Sequence, residues 1–219
     1  MLAQQLITSH YPALNLYDKV SLALQFMDDF DVQHLPVVAE DKFFGLISKH
    51  DLLDASEESV LEELAHDFIL KSVKGSEHFF SALKLASLLS ISLVPVVSET
   101  GELLGSIPEN QLIKAASKFL GTEEPGAVIV LEMERKNYSF GEISRLVETN
   151  DAYITQFNTT HEIETGLLLV TIKVNKLEVS DIIATFQRYE YSIRYFIGEE
   201  DYENEIRYNY DHLMSYLKM

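Results

Sequence analysis

The sequence predicts a mixed α+β chain: two β-α-β-β-α repeats, followed by a four-stranded βαββαβ domain. Three observations carry this. The first is an internal duplication. Leu35-Pro36-Val37-Val38 and Gly45-Leu46-Ile47-Ser48-Lys49-His50-Asp51-Leu52-Leu53 return as Val94-Pro95-Val96-Val97 and Gly105-Ser106-Ile107-Pro108-Glu109-Asn110-Gln111-Leu112-Ile113. An offset of 59 superposes Pro36 on Pro95, and one inserted residue in the link moves it to 60, so Gly45 meets Gly105. A repeat of this length signals stacked units, each with a face it cannot bury alone. The second is the stretch Gly121-Thr122-Glu123-Glu124-Pro125-Gly126, whose glycines and proline cannot continue a helix. The third is the change of pattern after it, to strand, helix, two strands, helix and strand, the split-βαβ plan.

Each element has its reason. Leu6 to Leu14 is an apolar entry followed by an extended lead-in fixed by Pro12. Asp18 is placed to cap a helix with apolar positions at Val20, Ala23, Leu24 and Met27. His34–Val38 and Phe43–Ile47 read as β-rich strands around the turn Glu40-Asp41-Lys42, and a helix starts at Lys49. Ser56 to Ala65 reads as an acidic helical linker. In the second copy Ser76 or Glu77 opens a helix through Phe79, Ala82, Leu83, Ala86 and Leu89. Strands at Val94–Val97 and Leu103–Ile107 and a helix from about Glu109 to Leu120 follow. The last domain has strands at Ala127–Met133, Ala152–Asn158, Gly166–Val174 and Tyr191–Ile197, with period-two alternation in the second and fourth. Its helices are Phe140–Val147, burying Ile143, Leu146 and Val147, and Val179–Arg188, burying Ile182, Ile183 and Phe186. The expected divisions are 1–60 and 61–120 for the repeats, 121–126 for the linker, 127–198 for the last domain and 199–219 for a tail with a short helix.

The chain has 219 residues, with 35 acids against 17 bases and a net charge of −18. Each half, split after residue 120, stands at −9. Spread acidity repels phosphate backbones and anionic lipid, so neither nucleic acid nor a membrane is an expected partner. No cysteine is present, which excludes disulfides, thiol catalysis and cysteine-zinc sites. No basic leader opens the sequence and no apolar run approaches a bilayer's width, so the expected location is the cytoplasm. The histidines are scattered, and no metal is expected. Glycine-rich phosphate loops and nucleophile elbows are absent from the sequence, so the expected protein is not an enzyme.

Residues 1–120 resemble a tandem pair of CBS domains, the module named after cystathionine beta-synthase. The resemblance rests on the apolar-Pro-Val-Val strand, the Gly-apolar-apolar-Ser-x-x-Asp-Leu-Leu turn into a helix, and the repetition of both. Residues 127–197 resemble an ACT domain, the ferredoxin-like ligand-sensing module, by topology and apolar pattern. The resemblance implies a nucleotide cleft between the repeats, with Ser48 toward phosphate, Asp51 toward ribose, and the base against Tyr11-Pro12-Ala13 and the backbone around Leu35-Pro36. His34 could add an edge contact. Implied ligands are AMP, ADP, ATP or S-adenosylmethionine.

The same residues have a plainer reading. A free helix start can receive phosphate, but Ser-x-x-Asp before an apolar run also makes a helix cap with no ligand at all. In the second copy Pro108 and Gln111 stand where the hydroxyl and carboxylate would be, so one competent site is expected. Bases near it are few: Lys49, Lys114 and Lys71. The ACT-like part offers Arg135-Lys136-Asn137-Tyr138-Ser139-Phe140-Gly141, read either as an anion or amino-acid contact through Arg135, Lys136 and Asn137 or, preferred here, as a solvated loop with Ser139 as cap. Asp28-Asp29-Phe30-Asp31 gathers acids at a helix end, a solvated face. The expectation is a non-catalytic regulator that senses an adenosine nucleotide, homodimeric, with an unidentified protein partner. The alternative is a dimerisation or interaction module whose sites have lost their ligand.

Overall fold

A computed structural model describes residues 1–8 and 10–198; the helix expected within 199–219 lies outside them. The chain divides into two compact units, Met1–Ser117 and Lys118–Met219.

The first unit holds the two repeats. Repeat one runs β1 (Leu14–Asn15), α1 (Val20–Asp29), β2 (His34–Ala39), β3 (Lys42–Ser48) and α2 (Lys49–Leu53). Repeat two runs β4 (Val73–Lys74), α3 (Phe79–Leu89), β5 (Leu93–Val97), β6 (Leu103–Pro108) and α4 (Glu109–Phe119). Each makes a three-stranded sheet, β1-β2-β3 and β4-β5-β6. The outer short strand is parallel to the middle one, and the hairpin is antiparallel. The registers match: Leu14 lies opposite Val37 as Val73 lies opposite Val96, and Gly45 faces Val37 as Gly105 faces Val96. Pro36 and Pro95 sit just before the outer strand joins, where the lost N–H breaks no ladder.

The inserted residue falls in the hairpin turns. Ala39 pairs with Lys42 across Glu40-Asp41, both left-handed at φ 50° and 64°, a two-residue turn whose twist suits a hairpin. In the second repeat the Ser98 N–H bonds to the Glu102 carbonyl around Glu99-Thr100-Gly101, with Gly101 at φ 85°.

The lead-ins cross over. Residues 3–6 form a 3-10 turn that packs on the second repeat: Ala3 and Leu6 are buried with Phe79, Val94 and Ile107. The Ala3 and Gln4 N–H groups bond to the Glu77 and Gly75 carbonyls at 2.8 and 3.1 Å. The segment joining the repeats returns to the first: Leu61 and Phe68 are buried with Leu14, Val20 and Leu35. Leu61 and Glu62 donate to the Asp18 and Leu16 carbonyls at 3.0 and 2.9 Å. Leu46 of the first repeat joins the second repeat's core and Leu93 of the second joins the first's. This exchange explains the repeated glycine. A Cβ on Gly45 would lie 2.7 Å from Phe68 Cβ, and one on Gly105 would lie 2.5 Å from Ile7 Cγ2. Each glycine is the place where the crossing lead-in presses on a hairpin.

The second unit is β7 (Val128–Met133), α5 (Phe140–Glu148), β8 (Ile154–His161), β9 (Leu168–Val174), α6 (Ser180–Arg188) and β10 (Ser192–Ile197). Its sheet is antiparallel in the order β10-β7-β9-β8, the ferredoxin-like arrangement. Ile143, Leu146, Val147, Ile182, Ile183 and Phe186 of the helices close a core with Ile129, Leu131, Val170 and Ile172.

Four local expectations are corrected. Lys19 and His78, not Asp18 or Ser76/Glu77, precede the helices. Asp18 and Glu77 instead accept the N–H of Asn15 and Lys74, at 2.7 and 3.0 Å, closing the turn before the helix, a local bond that competes with capping. The segment 56–65 is turn and the start of a 3-10 stretch, Leu61–Asp67, held by its backbone bonds to the first repeat. The alternation expected in β8 and β10 is broken by register shifts at Ile154/Gln156 and Ile193/Tyr195, which turn consecutive side chains toward one face. Tyr153 lies before β8 and is exposed.

Candidate functional site

The candidate site is built where β3 runs into α2. Ser48 is the N-cap of α2 in extended conformation. The Asp51 N–H donates to Ser48 Oγ at 3.2 Å, and the Ser48 hydroxyl donates to Asp51 Oδ2 at 2.6 Å. Hydroxyl and carboxylate thus satisfy each other and the helix end, as a reciprocal cap does. Both are half-buried.

The register gathers most of the remaining residues at the same end of the sheet. His34 lies opposite Ser48, and Leu35 opposite Ile47. Since β1 enters parallel to β2 with Leu14 beside Val37, Pro12 and Ala13 run in just ahead of that pairing, on the Leu35-Pro36 side. Pro12 is half-buried and Ala13 exposed, while Leu35 and Pro36 are buried, so the strand offers backbone rather than side chains. The Tyr11 ring stands edge-on to His10 at 5.5 Å and tilted to Phe30 at 6.3 Å, over the end of α1.

Two pairings were not visible in the sequence. Lys49, a base counted toward phosphate, is in an ion pair with Asp28 at 2.5 Å. That pair joins α2 to the acidic end of α1 and places a cation where the helix dipole favours one. His34 reaches across to the second repeat. The Ser92 N–H donates to His34 Nδ1 at 3.2 Å, the Ser92 hydroxyl lies at the same distance, and Gln33 N–H donates to Ser92 Oγ, also at 3.2 Å. A backbone N–H can only donate, so Nδ1 is the acceptor and the neutral ring carries its proton on Nε2. Burial lowers the His34 pKa from its ordinary 6.5, and the Asp51 carboxylate partly opposes this. The signal available in sequence was the repeat itself, which places Ser92 on Gln33.

The second repeat lacks this chemistry. Pro108 pairs with Leu93, the counterpart of His34, and both are buried. Gln111 is half-buried on α4. In the second unit, Ser139 caps α5 by accepting the Glu142 N–H at 3.3 Å. A cavity of about 530 Å³ lies between the end of α5 and the start of α6, lined by Pro125, Asn150, Asn175, Lys176, Glu178 and Asp181 among others. Its neutral and basic groups are engaged: Lys176 Nζ donates to the Asn150 carbonyl at 2.9 Å, and Tyr153 N–H to Asn175 Oδ1 at 2.7 Å. Among the described residues no cluster of three or more His, Asp or Glu could hold a metal. No described helix is long and apolar enough to cross a membrane.

The family model of the CBS domain matches residues 3–58. A CBS domain pair/ACT domain protein from Thermotoga maritima is similar in structure, at 23% identity over 55% of this chain and 99% of that one, with a TM-score of 0.50. The cytosolic domain of the Mg2+ channel MgtE in complex with ATP is 22% identical over 52% of this chain and 48% of that one, TM-score 0.44. CBSX2 in complex with AMP is 22% identical over 54% and 97%, TM-score 0.43. Residues 3–58 thus match the CBS-domain model, the first unit shares the fold of a CBS-domain pair, and the antiparallel sheet of the second has the ferredoxin-like order that fits an ACT-like domain.

Proposed function

We propose that this is a non-catalytic regulatory protein whose CBS pair binds one adenosine nucleotide, or a related small molecule, at the Ser48–Asp51 junction. The supporting observation is that a hydroxyl and a carboxylate meet at a helix start in the first repeat, beside His34, and that Pro108 and Gln111 replace them in the second. A ribose diol would take over the donation that Ser48 now makes to Asp51, and the freed hydroxyl would face phosphate. Pro12-Ala13 and the backbone at Leu35-Pro36 would flank the base. Regulation follows if the ligand prefers one arrangement of the repeats over another. In this reading the protein is cytoplasmic and homodimeric, with repeats at 1–60 and 61–120, a linker at 121–126 and the ACT-like domain at 127–198, and it controls a protein partner.

Thermal denaturation with AMP, ADP, ATP and S-adenosylmethionine tests it. At a hundredfold excess over Kd, a ligand that binds only the folded state stabilises by about 2.7 kcal/mol. The expected result is a raised Tm with at least one of them, lost in the Ser48→Ala/Asp51→Ala variant. A flat response to all four removes the proposal.

A second reading is a ligand-free dimerisation or interaction module. It is favoured by the closed Ser48–Asp51 pair and by the Lys49–Asp28 ion pair, which together leave the junction satisfied without a ligand. It expects a homodimer by light scattering that no nucleotide alters.

A further inference from the structure

We propose that His34 and Ser92 form a proton-sensitive clamp between the two repeats, closed while the imidazole is neutral and released when it is protonated. The clamp is set by geometry. Ser92 stands just before β5 of the second repeat, and its backbone N–H is held by His34 Nδ1 of the first at 3.2 Å. Its hydroxyl meets the same nitrogen and also receives the Gln33 N–H. Three contacts thus join one residue of the second repeat to two adjacent residues of the first. Within each repeat the same two positions are fixed by backbone: Lys49 N–H donates to the Gln33 carbonyl at 2.8 Å in the first and Glu109 N–H to the Ser92 carbonyl at 3.0 Å in the second. Those two bonds are equivalent under the repeat and carry no titratable atom.

The contact between the repeats does titrate. Protonation puts a hydrogen on Nδ1, which then faces the Ser92 N–H donor to donor. The two can no longer bond, and the hydroxyl must turn its lone pairs to the imidazolium while it still accepts from Gln33. The surroundings favour the neutral ring. Half-burial disfavours the cation, consistent with the lowered pKa. Of the groups on the packed elements, Ser48 opposite His34 on β3 and Leu93 on β5 are uncharged. Asp51 on α2 is the carboxylate that opposes the lowering. Lys49 directs its charge to Asp28, and Glu109 meets Ser92 through its backbone. The second repeat has no equivalent, because Leu93 occupies the place of His34. The pair is therefore held by a titratable bond on one side of its pseudo-twofold and by none on the other. The clamp does not depend on whether a nucleotide binds.

Nitrogen-detected histidine NMR and amide exchange on the full chain test this. His34 is expected as the Nε2–H tautomer near neutral pH, with a pKa below the ordinary histidine value. Protection of the Ser92 amide, corrected for intrinsic exchange, is expected to fall as pH is lowered toward that pKa, by up to about tenfold per pH unit as the protonated fraction grows, and to level off below it. His34→Asn supplies an acceptor at the position of Nδ1 that does not titrate, and its Ser92 protection is expected to stay level between about pH 7 and about pH 5. An Nδ1–H tautomer, a pKa at or above the ordinary value, or the same pH dependence in His34→Asn as in wild type overturns the clamp. Should His34→Asn not fold, wild type decides alone: protection of the Ser92 amide that does not change as His34 titrates overturns the clamp.

Discussion

The two repeats share a backbone and differ in chemistry. Strand registers, the proline before the parallel pairing and the glycine in the hairpin superpose under the same offsets. At the junction with the closing helix, the first repeat has His34, Ser48 and Asp51, where the second has Leu93, Pro108 and Gln111. The frame is maintained by packing, which both copies need. The polar set is not needed for packing, so one copy can lose it without losing the fold.

Variants can break or sharpen this contrast. The largest effect is expected at the exchanged core. Leu93→Ala should cost about 2–5 kcal/mol, because the side chain is fully buried among first-repeat residues and leaves a cavity. The counterpart His34→Ala loses one neutral hydrogen-bonded link and should cost about 1–2 kcal/mol. Urea unfolding of both compares them, and equal costs would mean that the two positions are not the packing and polar versions of one contact.

The glycines come next. Gly105→Ala meets Ile7 and holds a left-handed backbone at φ 144°, so overpacking and strain add to about 2–4 kcal/mol. Gly45→Ala meets only Phe68, at ordinary φ, and should cost about 1–3 kcal/mol. Trimming the crossing residue in the same chain, as Phe68→Ala with Gly45→Ala, should give less than the sum of the two costs. Strict additivity would remove the close approach as the reason for the glycine.

A smaller difference separates the helix starts. Ser48→Ala removes a cap and should cost about 0.5–2 kcal/mol. Pro108→Ala should cost about 0.4–1 kcal/mol through chain entropy. The smallest effect is on the pH dependence of stability. His34 has a folded-state pKa below 6.5, so its contribution is complete above about pH 6.5 and is lost as pH falls through the folded value. Wild type should therefore lose more Tm than His34→Asn on going from about pH 7 to about pH 5. A steeper loss in the variant would reverse the sign.

Much of this was legible in the sequence because it repeats. Offsets located both hairpins, the helices and the blunted second junction, and apolar spacing located the buried faces of α5 and α6. The crossing of the lead-ins was not legible. A short apolar segment such as Leu61 or Ala3-Leu6 shows that it is buried, but not against which of two similar cores. The helix starts were misplaced because Asp18 and Glu77 bond to the turn before the helix, which uses the same residue types as a cap. The sequence does not show that Lys49 is paired, because its partner, Asp28, is 21 residues away on another element. His34 and Ser92 lie 58 residues apart, and only their matched places in the repeat could have linked them.

The direct test of this unequal pair is calorimetric titration of the intact chain with AMP, ADP, ATP and S-adenosylmethionine. The account predicts one ligand per chain, abolished in Ser48→Ala/Asp51→Ala and retained in Gln111→Ala. Two ligands per chain, or binding that survives the Ser48 and Asp51 changes, would contradict it.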